Sequence, residues 1–188
     1  MDTVSAEARS RMMAGIHGKD TKPERTIRSQ LFHRGYRFRK NCPTLPGKPD
    51  IKLTKYRALV FVNGCFWHGH GCRYSKLPSS RSTFWEEKIR KNSMRDARDV
   101  RELRKKGWRV CIVWECALKA QGSRNASCPA IDALDEWIRG SEDFLELADP
   151  VSLEDHDDGT STCSNPAMNH DFECFVAERS SFTFYNRK

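Results

Sequence analysis

The sequence predicts an α/β fold in which a mixed central sheet is flanked by helices. Three observations predict it. Two short, wholly apolar runs, Ala58 to Val62 and the centre of W-R-V-C-I-V-W-E-C, read as buried strands rather than half-exposed ones. Amphipathic helical stretches with recognisable ends alternate with those strands, which is the pattern of a sheet covered by helices. Between the strands, the glycine-rich stretch G-C-F-W-H-G-H-G-C packs cysteine and histidine at metal-ligand spacing.

The elements follow in chain order. Residues 5–18 form a short basic helix ending near Gly18. In the next helix Thr21 and Glu24 have capping-box spacing, Pro23 suits the first turn and Gly35 the position just past the end. Ile27, Leu31 and Phe32 are its core-facing candidates. Tyr36 to Arg39 alternates as a short strand, and N-C-P-T-L-P-G-K-P is a loop. Ile51 and Leu53 alternate with Lys52 and Thr54, T-K-Y-R turns the chain, and Ala58 to Val62 completes a hairpin. A long charged helix runs from Ser82, its candidate cap, to Lys106, with Gly107 as terminator. Phe84, Ile89, Val100 and Leu103 are its apolar members. A buried strand follows, and Ile131, Leu134, Trp137 and Ile138 mark a last amphipathic helix.

Composition narrows the partners. The chain has 188 residues and a formal net charge of +8. Residues 1–139 carry 30 basic and 14 acidic side chains, a net of +16, whereas 140–188 carry 3 basic and 11 acidic, a net of −8. We therefore divide the chain into a basic domain over 1–139 and an acidic, disordered tail over 140–188. No apolar run approaches the roughly 18 residues that span a bilayer, and the polar N-terminus lacks a signal-peptide h-region, so a cytoplasmic protein is expected. A basic surface with interspersed aromatics (Phe66, Trp67, Trp85, Trp108, Trp114) favours nucleic acid as partner. Eight cysteines without a signal peptide argue for metal binding over disulfides.

Cys65, His70 and Cys72 are spaced C-x4-H-x-C, and Cys116, at the end of a strand, is the best fourth ligand for a tetrahedral structural zinc. The same residues also fit buried thiols beside a solvent-facing histidine. Cys42, Cys111, Cys128, Cys163 and Cys174 have no such company and read as ordinary thiols. Phe66 and Trp67 fit either a local core beneath the metal or a wedge between base pairs, and Trp85 either a third member or core. Asp50 opens a strand beside the end of the next one at Val62 and Asn63. A carboxylate plus a strand carbonyl there would suit Mg²⁺, and a turn residue after Pro49 fits too. His68, left over once His70 takes the zinc, either moves a proton or is an exposed loop histidine.

At this point the motifs are specific. T-K-P-E-R around Glu24, L-P-G-K-P-D ending at Asp50, F-V-N-G-C-F-W-H-G-H-G-C, T-F-W-E-E-K-I-R-K-N and G-W-R-V-C-I-V-W-E-C-A-L occur in this order between about residues 9 and 139. The chain resembles the very short patch repair endonucleases of bacteria. The resemblance implies a restriction-endonuclease-like core. It implies nicking of double-stranded DNA 5′ of the thymine in a T:G mismatch left by deamination of 5-methylcytosine. It makes Asp50 and the Val62 carbonyl the Mg²⁺ ligands, His68 the catalytic histidine and Glu24 a support for the water network. Cys65, His70, Cys72 and Cys116 become the zinc ligands. Phe66, Trp67 and Trp85 intercalate beside the mismatch, and Met13 enters from the opposite groove. The implied enzyme is monomeric, nucleoid-associated when acting, with other mismatch-repair proteins as contacts. Asn63 stands where a second histidine is often found; it can hydrogen-bond a phosphate but not carry its proton. That departure keeps a rival open, a catalytically weak zinc-containing mismatch-binding module.

Overall fold

A computed structural model describes residues 18–78, 81–119 and 128–149, together with Ala8 and Arg11. Both of those isolated residues are helical. The rest of the expected helix over 5–18, with Met13, lies outside the described residues, as do Cys163 and Cys174.

Helix α1 (Lys22–His33) starts at the capping box its sequence announces: Thr21 Oγ1 accepts from the Glu24 N–H, and the Glu24 carboxylate accepts from the Thr21 N–H. It ends in a Schellman motif. Gly35, at φ +86°, donates to the Phe32 carbonyl and Tyr36 donates to the Leu31 carbonyl. That cap corrects two expectations. The chain cannot pair while Tyr36 closes the helix, so β1 is only Arg39–Lys40. Phe32 lies on the outer face at 57% exposure, its ring beneath the Arg37 guanidinium.

Strand β2 (Ile51–Leu53), a single 3-10 turn (Thr54–Tyr56) and β3 (Ala58–Asn63) make the expected hairpin. Arg57 turns it at φ 48° and sends its guanidinium to the carbonyls of Lys106 and Gly107, where the next helix ends. Those carbonyls have no intrahelical partner, and a cation there is also favoured by the helix dipole.

Helix α2 (Ser82–Lys105) starts one residue earlier than expected: Ser82 is its first residue rather than its cap, and Arg81 precedes it at φ 56° without a side-chain cap. Its end is the second Schellman motif, with Gly107 at φ +76°. Its buried residues, Ala97, Asp99, Val100 and Leu103, all lie in its second half. Phe84, expected among its apolar members, is 53% exposed. Strand β4 (Arg109–Trp114) is buried almost throughout. A short α3 (Glu115–Lys119) follows it, so Cys116 sits in a helical turn just beyond the strand. Helix α4 (Pro129–Arg139) buries Ile131, Leu134, Trp137 and Ile138, the four apolar positions of its pattern.

The sheet does not stop where the basic domain was expected to end. Strand β5 (Phe144–Leu147) pairs in parallel with β4, so residue 140 is a turn inside the fold rather than a domain boundary. Arg109 explains the turn: it donates to the carbonyls of Glu142, Ile138 and Trp137, and Trp114 Nε1 donates to Glu146 at 2.5 Å.

The sheet order is β1-β2-β3-β4-β5, antiparallel as far as β3 and parallel beyond it. Alternate residues of β3 face opposite layers. Ala58 and Val60 join Ile27, Leu31 and the α4 residues on one side; Leu59 and Phe61 join Val100 and Leu103 of α2 on the other. Cys111 is fully buried in the first layer, and burial pushes its thiol well up, as suits an inert core residue. Among the described residues, no helix is long and apolar enough to cross a membrane.

Candidate active site and metal centre

The hairpin puts Asp50 at the mouth of the sheet. Ile51 pairs with Val60, so the residue before β2 comes level with the end of β3, and the Val62 N–H donates to Asp50 Oδ2 at 2.8 Å. Burial dominates its electrostatics and pushes the carboxyl from 3.8 up to about 6. The Val62 hydrogen bond and the nearby Arg28 and His68 pull it down, and Glu24 pushes it further up. A cleft of about 1010 Å³ opens over it, lined also by Glu24, Val62, Asn63, His68 and Asp96. Sequence positions from four separate segments thus meet on one wall. Asn63 is buried, 8% exposed, at the last residue of β3.

The loop from Gly64 to Cys72 carries His68, and α2 holds that loop from outside. Asn92 Nδ2 donates to the Trp67 carbonyl and Ser93 Oγ to the His68 carbonyl, both at 2.9 Å. Asp96 Oδ2 lies 2.5 Å from His68 Nδ1. A carboxylate at Nδ1 fixes the tautomer and leaves Nε2 to do chemistry. These three helix residues were missed in the sequence. Their spacing at 92, 93 and 96 is the available signal, a polar stripe on one helical face. Gly69 is required where the loop crosses the helix: at φ +65° any Cβ would come within 2.6 Å of Ile89 Cγ2.

On the other side of the same loop, Cys65, His70 and Cys72 meet Cys116 from α3. One ligand atom from each lies within 4.8 Å of all the others, and all four residues are buried. This nitrogen-and-sulfur set could hold a metal ion. Its surroundings are ordered for that: the His70 ring stacks on Trp114 at 4.2 Å, and the Asp149 N–H donates to Cys116 Sγ at 3.4 Å. The Cys65 thiol, followed by His70 and that N–H, holds the Cys116 thiol well below its usual range. His68 stays outside the cluster, as the sequence reading required.

Phe66, Trp67 and Trp85 come together as a half-exposed aromatic cluster with ring centroids 5.0 to 6.0 Å apart. They do not lie under the metal ligands as a local core. Phe84 extends the cluster, 5.3 Å from Trp85, and Lys88 Nζ lies within 6 Å of Trp67, Phe84 and Trp85. Trp114, by contrast, is core at 1% exposure.

A family model for the DNA mismatch endonuclease Vsr matches residues 1–74. The chain is 44% identical over 140 residues to the DNA mismatch endonuclease Vsr of Escherichia coli, which covers 74% of this chain and 88% of that protein. It is 49% identical over 118 residues to the type II nicking enzyme V.NmeAIP of Neisseria meningitidis serogroup A, covering 63% of this chain and 84% of that enzyme. Over 125 residues it is 46% identical to the type II nicking enzyme V.XorIIP of Xanthomonas oryzae pv. oryzae, covering 66% and 92%. The chain with these relatives is a DNA endonuclease. Within that class, the chain belongs to the DNA mismatch endonuclease family Vsr.

Proposed function

We propose that this protein nicks double-stranded DNA on the 5′ side of the thymine in a T:G mismatch, the product of 5-methylcytosine deamination, and so starts very short patch repair. The observation that carries this reading is the meeting of Asp50 and the His68–Asp96 pair in one cleft, beside an aromatic cluster borne on the same loop as His68. The core is of the restriction-endonuclease-like kind, and the enzyme works as a monomer, with other mismatch-repair proteins as candidate partners.

Two metals fit. Asp50 and the Val62 carbonyl are the oxygen donors for Mg²⁺, and a carboxylate kept uncomfortable by burial is a group a cation relieves. Bound there, Mg²⁺ would neutralise charge developing on the scissile phosphate. Cys65, His70, Cys72 and Cys116 suit a structural zinc, because four soft nitrogen and sulfur donors fill a tetrahedron and leave no position for substrate.

The chain's own residues do the rest. His68 Nε2 accepts the proton of the attacking water, with Asp96 fixing the ring. Asn63 hydrogen-bonds the phosphate without moving a proton. Glu24 acts through the wall of the cleft that it holds. Phe66, Trp67 and Trp85 open the mismatched step, which costs less to unstack than a paired one. Arg95, Lys19 and Lys48 line the cleft and meet the backbone phosphates.

The test is a nicking assay on a T:G duplex with Mg²⁺. Cleavage of the thymine strand is expected. Asp50→Ala should abolish it while zinc content stays unchanged. Mismatch binding without cleavage would establish the binding-module reading instead, and loss of zinc from Asp50→Ala would mean that the two metal sites are misassigned.

A further inference from the structure

Two carboxylates share the wall of the cleft, and their surroundings differ sharply. Asp50 accepts one hydrogen bond among the described residues, from the Val62 N–H on Oδ2. Glu24, 3% exposed, accepts four. Its Oε1 takes the Thr21 N–H at 3.2 Å and the Thr21 hydroxyl at 2.8 Å, and its Oε2 takes the Asp20 N–H at 3.1 Å and Arg28 Nη2 at 2.7 Å. An ionised carboxylate offers about four lone-pair sites, so Glu24 has none to spare.

Arg28 is the partner that a simple capping box lacks. It is 7% exposed, and three contacts fix its guanidinium. Nε donates to the Glu24 carbonyl at 3.2 Å, Nη2 holds the Glu24 carboxylate, and Nη1 lies 2.9 Å from the Asp20 carboxylate. A buried cation so placed cannot swing away without stranding a charge.

We propose that Arg28 is a positioning residue for the cation site: by occupying Glu24 it withholds that carboxylate from the metal and leaves Asp50 to hold the ion. This rests on the assignment of Mg²⁺ to Asp50 and deepens it. A catalytic Mg²⁺ keeps several waters and takes its remaining ligands from one or two carboxylates and the substrate phosphate. A second free carboxylate in the same corner would fill coordination positions that water and phosphate need. Glu24 and Arg28 both act on the Asp50 charge, in opposite directions, so the pair bears on the ion without touching it.

The test is a titration of the full, zinc-loaded chain with Mn²⁺, following free Mn²⁺ by electron paramagnetic resonance. Glu24→Gln keeps a capping-box residue and should leave Mn²⁺ affinity within about twofold. Arg28→Met frees one of the four acceptor sites on Glu24 and removes the cation that neutralises it, and should tighten Mn²⁺ about tenfold or add a second equivalent, as an unpaired carboxylate near a partly wet site would. The double substitution should return to the original affinity. Damage to the fold would weaken binding, not strengthen it, so the gain separates positioning from a structural role. Tenfold weaker Mn²⁺ binding in Glu24→Gln alone would overturn the proposal, because Glu24 would then already serve the ion. Unchanged affinity in a folded Arg28→Met would overturn it as well. Should Arg28→Met not fold, the Glu24→Gln titration decides by itself. Asp50→Ala is the separate arm: if it binds Mn²⁺ like the original chain, it is the Asp50 assignment that fails, whatever Arg28 does.

Discussion

Asp50 is held in place against its own solvation, and removing its charge should stabilise the protein while ending its activity. Burial raises the carboxyl from 3.8 to about 6, roughly two units. At about 1.36 kcal/mol per unit this sets a ceiling of about 3 kcal/mol. The side chain is only partly buried, so solvent screening reduces the figure to about 1–2 kcal/mol. The sign follows from proton binding. Between pH of about 4 and 6 the folded state keeps a proton that the unfolded state has lost, so the stability contribution falls as pH rises through that window. Above it, the full penalty is present. Asp50→Asn removes the penalty and leaves an oxygen to accept from the Val62 N–H. Its melting temperature at pH 7.5, in Mg²⁺-free buffer without a chelator that would strip the Cys/His site, should exceed the original by roughly 2–8 °C. The advantage should vanish by about pH 4, and nicking should be lost at every pH. Added Mg²⁺ should raise the melting temperature of the original chain and not that of the variant. An Asp50→Asn protein that melts at or below the original at pH 7.5 would refute the reasoning.

Further outcomes follow from the same geometry. Asp96→Asn places an amide at His68 Nδ1 and should slow single-turnover nicking about 100-fold, with duplex binding within threefold; an unaffected rate would remove Asp96 from the chemistry. Cys116→Ala takes one of four ligands from a buried cluster and should abolish both metal content and cooperative unfolding, measured by metal analysis and circular dichroism. Trp67→Ala should weaken binding to a T:G duplex about tenfold more than binding to its paired counterpart, one stacked ring contributing about 1–3 kcal/mol. Deleting 150–188 removes 7 acidic and 3 basic residues and should tighten non-specific duplex binding at low salt. Deleting 141–188 should instead lower the melting temperature, since it also removes β5; equal stability of the two truncations would contradict the sheet order.

Local signals made much of this legible in the sequence. The Thr21–Glu24 spacing, Gly35 and Gly107 fix the ends of two helices because capping depends on neighbours in the chain. Cys65, His70 and Cys72 announce a metal site for the same reason, and Cys116 was reachable because one buried strand leads to it. Non-local partnerships were hidden. Asn92, Ser93 and Asp96 lie on a helix whose polar face looks solvated until a loop 25 to 28 residues upstream docks on it. Strand β5 has four residues with Glu146 among them, too short and mixed for periodicity; its ladder to β4 and the Trp114–Glu146 bond hold it, and Arg109 fixes the turn before it. Arg28 reads as one more surface base in a basic chain; only the fold shows it buried against Glu24.

The Gly64–Cys72 loop has one more consequence. Trp67, which would enter the DNA, and His68, which would act at the phosphate, are consecutive residues, their Cα atoms about 3.8 Å apart. The residue that would read the mismatch and the residue that would act at the phosphate therefore share one short loop. It is pinned at both ends by the Cys/His cluster, through Cys65 and through His70 and Cys72, and its middle is braced by α2. Because the same anchors hold both residues, a change that loosens the Cys/His cluster would disturb reading and cutting together.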